Sequence, residues 1–126
     1  MNEHVTLTVP ALQAYVLVIR TALGGLALVN DLDMDTLEDL RQAADEACDY
    51  LMHQGAPACS LDAWSEGGKL RVTLQAELDG QGSGSSAEEL ELSKAVLETL
   101  IPEVTLRTRA DGLVERVELA VPKALA

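Results

Sequence analysis

Glu46, Tyr50 and His53 are spaced by four and then three residues, so on a helix they share one stripe. That stripe differs from the helix's main apolar one, so it is where this helix could carry chemistry. Other groupings carry less. Asp31, Asp33 and Asp35 alternate like the opening of a calcium loop. Thr36, however, stands where the sharp turn requires Gly, and Gln42 where the bidentate Glu belongs. The three aspartates read instead as helix-capping acids. Gly80, Gly82 and Gly84 resemble a phosphate loop, but no Lys-Ser/Thr follows and the P-loop spacing is missing, so they read as a surface linker. His4 and His53 have no Cys or carboxylate neighbours at zinc spacing, and no metal site is expected. Cys48 and Cys59 lack a paired motif and read as buried, reduced thiols. No Gly-x-Ser-x-Gly elbow is present.

The elements that must position these residues follow from periodicity. Residues 4–9 alternate Val5, Leu7 and Val9 against His4, Thr6 and Thr8, which predicts a strand with one buried face. Pro10 suits a first helical position. Leu12, Tyr15, Val16, Ile19, Leu23, Leu26 and Ala27 then predict a helix over 10–29, weakened or closely approached at Gly24–Gly25. Asp35, with Glu38 three residues on, is expected to cap a second helix running from 36 to about 53. Its apolar stripe is Leu37, Leu40, Ala44, Ala47, Cys48 and Leu51. Strands are predicted over 59–66 and 69–78, joined at Gly67–Gly68. A flexible loop over 79–86 precedes a helix over 87–101 that Pro102 stops. A last hairpin, 103–109 with 113–121, turns at Asp111–Gly112. The order β-α-α-β-β-α-β-β, with polar faces on several strands, predicts an α+β two-layer sandwich: a mostly antiparallel sheet covered on one face by three helices.

Composition narrows the function. The 126 residues are 48% hydrophobic and 24% charged, as expected for one folded domain over 1–126. Acidic residues outnumber basic ones 21 to 9, a formal charge of −12. That argues against nucleic acid, whose attraction is to Lys and Arg, and against an anionic membrane surface. The apolar run over 15–29 is broken by Arg20, Thr21 and the glycine pair, so no membrane span is expected. With no basic, apolar leader at the start, a cytoplasmic protein is expected.

Tyr15-Val-x-Val-Ile-Arg20, Leu37-Glu-Asp-Leu-Arg41 and Asp45-Glu-Ala-Cys48 together resemble one family. It comprises the bacterial anti-sigma regulatory factors that are also serine-protein kinases, within the histidine-kinase-like (Bergerat, GHKL) ATPases. The similarity is strongest over 9–53 and continues more weakly to Val104. In that family the second helix bears a Glu general base and, four residues later, an Asn that holds Mg²⁺. The resemblance places Glu46 on the base and Tyr50 on the Asn, and a phenol is a poor Mg²⁺ ligand. The family's adenine-binding Asp-x-Gly falls on Ala76 and Leu78. Using Asp79 instead would slip the strand by one residue and turn its apolar face outward. The phosphate-binding Gly-x-Gly falls on Glu91 and Ser93, where a carboxylate would repel phosphate. The lid is reduced to roughly residues 79–89.

The resemblance therefore implies a Bergerat fold without its ATP site. Glu46 is a vestigial catalytic position, and Tyr50, Ala76, Leu78, Glu91 and Ser93 are degenerate nucleotide positions, with no cofactor. The expected role is that of a non-catalytic, anti-sigma-factor-like regulator acting by protein–protein binding. Its implied partner is a protein such as a sigma factor or its regulator, and the family implies a homodimer. Two alternatives are an active serine-protein kinase with an atypical ATP/Mg²⁺ site using Glu46, and a small-ligand module in the remodelled cleft. The latter would show a closed apolar pocket beside Tyr50 and Ala76.

Overall fold

Period-two runs rich in Val, Leu and Thr build five strands in the computed structural model, which describes residues 3–78 and 87–124. They are β1 (His4–Pro10), β2 (Ala58–Glu66), β3 (Lys69–Ala76), β4 (Glu103–Thr108) and β5 (Val114–Pro122). Every pairing is antiparallel, in the order β1-β2-β3-β5-β4, so β1 and β4 are the two edges. Register keeps like faces together: Leu61 opposes Leu74, Val72 opposes Leu119, and Leu74 opposes Val117. These side chains point to one face and are buried there. The other face is polar. On it His4 stacks on Trp64, ring centroids 4.6 Å apart, with its Nδ1 2.8 Å from Asp62 Oδ1. Lys69–Glu103 and Arg107–Glu118 ion pairs also cross this face.

Three helices cover the apolar face: α1 (Val16–Val29), α2 (Met34–Met52) and α3 (Ala87–Leu100). The stripe read from the sequence for α2 is the buried one, with Leu40, Ala44, Cys48 and Leu51 inaccessible to solvent. Each fully buried Leu contributes about 1.5–3 kcal/mol relative to an exposed one, so this stripe is the main weld between helix and sheet. Both thiols, Cys48 and Cys59, are free and buried. Burial pushes the Cys48 thiol up to about 12, with Cys59 nearby adding to it, and pushes Cys59 up to about 11.

Four local expectations are corrected. Pro10 does not start a helix. It ends β1 opposite Ala58, where an edge strand tolerates its missing N–H. The chain then stays extended at Leu12 and makes one short 3₁₀ turn, Gln13–Tyr15, before α1 begins at Val16. Leu12 and Tyr15 are consequently exposed rather than inward. The cap of α2 is Asp33, not Asp35: its Oδ1 accepts the Thr36 N–H at 2.7 Å, and the helix starts two residues earlier. Finally, α1 runs unbroken through Gly24–Gly25. What approaches Gly24 is the Arg41 guanidinium, 3.0 Å from where a Cβ would sit, rather than another backbone. The loop expected over 79–86, with its glycines and most of the reduced lid, lies outside the described residues.

Beyond the end of α2, Gln54 is buried and acts as a short extension of the sheet. Its side-chain carbonyl accepts the Val114 N–H at 2.8 Å and its amide donates to the Val114 carbonyl at 2.6 Å. The pairing of β3 with β5 ends at Arg116, so Gln54 supplies to Val114 what a longer strand would.

Candidate functional site

Helix α2 is the spine of the candidate site, because α1 and α3 both pack against it in opposite sense. Arg20 of α1 lies 3.4 Å from Asp45, while Gly24 lies beside Arg41. On the other flank, Ser93 of α3 donates from its hydroxyl to Glu46 Oε2 at 2.8 Å. The 3.6-residue period puts Glu46 and Tyr50 on the same side of α2, one turn apart. Tyr50 is half-buried and packs against the core.

Three of the residues singled out in the sequence thus come together: Glu46, Tyr50 and Ser93. Ala76, Leu78 and Glu91 do not join them. Ala76 pairs with Cys59 at the end of β3 and is buried, and Leu78 packs against the core just past that strand. The strand ends at Ala76, two residues before the expected boundary. Glu91 is exposed on α3. His53 closes α2 and shares an open hollow of about 240 Å³ with Tyr50, Asp49, Glu89 and Ser93. A short contact from His53 Nδ1 to the Asp49 carbonyl, helped by the Asp49 carboxylate, raises the pKa of its imidazole. Among the described residues no three His, Cys, Asp or Glu side chains converge as metal ligands would.

A second concavity was not legible in the sequence. It holds about 690 Å³ and runs across all three helices. Gln42, Asp45, Glu46 and Asp49 of α2 form its floor, and Leu17 of α1 with Val96 and Leu100 of α3 form its sides. The signal that could have found the floor is the polar i, i+3, i+4, i+7 spacing opposite the apolar stripe. Which helices wall it depends on packing that one helix's sequence does not state. Among the described residues no helix is long and apolar enough to cross a membrane.

Neither a protein-family model nor a curated protein matches this sequence. Among solved structures, the chain is similar to the crystal structure of the RsbU and RsbW domains of Rv1364c from Mycobacterium tuberculosis. The TM-score is 0.67 at 14% identity, with 98% of this chain and 34% of that chain covered. The present chain therefore spans about a third of the length of that one. At that identity the likeness is one of fold alone, and it agrees with the α+β sandwich, an antiparallel sheet covered on one face by three helices, that the sequence predicted.

Proposed function

We propose that this chain is a non-catalytic regulatory module with an anti-sigma-factor-like fold, acting in the cytoplasm by binding another protein without ATP. The observation that carries this reading is the Ser93–Glu46 hydrogen bond. It ties the carboxylate at the family's base position to a side chain at its phosphate-loop position, where bare glycine backbone would be needed. Tyr50 adds to it, placing a phenol where the family coordinates Mg²⁺. Ala76, buried in the core, and Leu78, packed against it, offer no carboxylate to an adenine amino group. The alternative of a small apolar ligand finds less support: the hollow beside Tyr50 is open, is bordered by Asp49 and Glu89, and does not include Ala76.

The partner is a protein such as a sigma factor or its regulator, met through exposed apolar surface. Leu28 and Val29 at the end of α1 are 83% and 80% exposed, and Val29 borders a hollow shared with Val5 of the edge strand β1. A helix apolar on nearly all sides calls for a cover, and a second copy of the chain on this face is part of the proposal.

Thermal melting with ATP and Mg²⁺ tests the reading. A ligand at about a hundred times its Kd stabilises by about 2.7 kcal/mol, a rise of several degrees for a chain of this size. The expected rise is less than about 1 °C at millimolar nucleotide, while a saturable rise of several degrees would refute the non-catalytic reading.

A further inference from the structure

We infer that the groove across α1, α2 and α3 docks a cationic amphipathic helix of the partner protein. This rests on the protein-binding reading above and adds the place and the chemistry. The floor positions 42, 45, 46 and 49 extend about 10.5 Å along α2 at 1.5 Å per residue, the length of two turns of a facing helix. Asp45 and Asp49 stand one turn apart, which matches Lys or Arg at i and i+4 on that helix. The sides are aliphatic: Leu17 is 64% exposed, and Val96 and Leu100 are half-buried, so flanking Leu or Val side chains would be covered on both edges.

Charge selects the occupant. Arg20 is the one cation among the lining residues, set against Asp45, Glu46 and Asp49. Arg20 Nε lies 3.4 Å from Asp45 Oδ1 and offsets one of these three carboxylates, which leaves the floor net negative. An incoming ammonium or guanidinium would pair with the exposed Asp49 carboxylate on that floor. The chain's charge of −12 would steer such a partner from a distance. Other occupants fit less well. An open groove leaves a small molecule's surface wet, and phosphate backbones are repelled. Residues 79–86 carry no Lys, Arg or aliphatic side chain, so this segment of the chain lacks the required chemistry.

The test is fluorescence anisotropy of labelled synthetic helices titrated with the full chain. One peptide of about 18 residues carries Lys at i and i+4 with Leu on the flanks, and a second scrambles the same composition. The patterned peptide is expected to bind saturably, and the scrambled one at least about tenfold more weakly. Asp49→Lys should weaken patterned binding by about tenfold or more, whereas Glu88→Lys, an equal charge reversal on exposed α3 surface outside the groove, should change it by less than about twofold. Circular dichroism of each variant confirms that it is folded. Equal binding of both peptides, equal weakening by Glu88→Lys, or no saturation by about 1 mM would each overturn the inference. The nucleotide melt on the same samples is read separately: an ATP-dependent rise refutes the non-catalytic reading and leaves the peptide result as it stands.

Discussion

Gln54→Ala removes the side chain that serves both polar groups of Val114. The perturbation leaves one N–H and one C=O without a partner in a region closed to solvent, Gln54 itself being 1% exposed. Each orphaned group costs about 1–3 kcal/mol, so the two together cost about 2–6 kcal/mol, and about 3 kcal/mol is expected. Unfolding entropy of about 2.1 cal/mol/K per residue over this chain gives about 0.26 kcal/mol/K, and 3 kcal/mol then lowers Tm by about 11 °C. Gln54→Glu sharpens the test. Protonated, the new carboxyl can still donate to the Val114 carbonyl; ionised, it cannot, and its charge is buried. Its folded-state pKa is therefore raised above the unfolded value of about 4.3. Stability is then fully present below the unfolded value and lost as pH rises through the folded one. Urea and thermal unfolding of wild type and both variants between about pH 4 and 7 measure this. A Gln54→Ala loss below about 1 kcal/mol, or a Gln54→Glu profile parallel to wild type, would refute the assignment of these two bonds as a structural tie.

Further outcomes follow from features of the helices and core. Gly25→Ala should stabilise by about 0.5–1 kcal/mol in urea unfolding, since nothing lies within 4 Å of the added methyl. Gly24→Ala should gain less, because the Arg41 guanidinium must move. Asp33→Ala should lower Tm near neutral pH. The Thr36 backbone N–H holds the Asp33 carboxyl below its ordinary 3.8, so its contribution is present above that value and fades as pH falls through the lowered one. The wild-type and Asp33→Ala melting curves should therefore converge in acid. Cys48 and Cys59, whose thiols burial pushes up to about 12 and about 11, should resist a disulfide exchange reagent in the native state and react promptly in denaturant. Prompt native reaction of both would contradict their burial.

The sheet and the inner stripe of α2 were legible because burial imposes periods of 2 and 3.6 on the residues themselves. Leu70, Val72 and Leu74 on β3, and Leu40, Ala44 and Leu51 on α2, are buried as their spacing requires. Boundaries were less so. Asp33 and Asp35 both precede helical sequence, and only the backbone at Asp33, extended with ψ 168°, decides which carboxylate reaches Thr36. Pro10 fits a strand end as well as a helix start, and the choice is made by pairing with Ala58, distant in sequence. At the candidate site, Glu46 and Tyr50 were visible in their spacing and matched by the family resemblance, and Ser93 was named from the resemblance alone. The Glu46–Ser93 bond depends on how α3 lies along α2, which neither helix encodes alone. Gln54 gave no signal, since a polar residue before Gly55 reads as turn. Its task is set by where β3 stops pairing with β5.

The stacked rings on the polar side of the sheet make the molecule its own optical probe. Trp64 is the single indole in the chain, and its neighbour His4 belongs to the first edge strand. Emission therefore tracks whether that strand is seated, while far-ultraviolet ellipticity tracks the helices on the opposite side. Peeling of the amino-terminal edge before the interior melts would separate the two signals in one titration. Cargo settling among the helices would leave the indole signal unchanged.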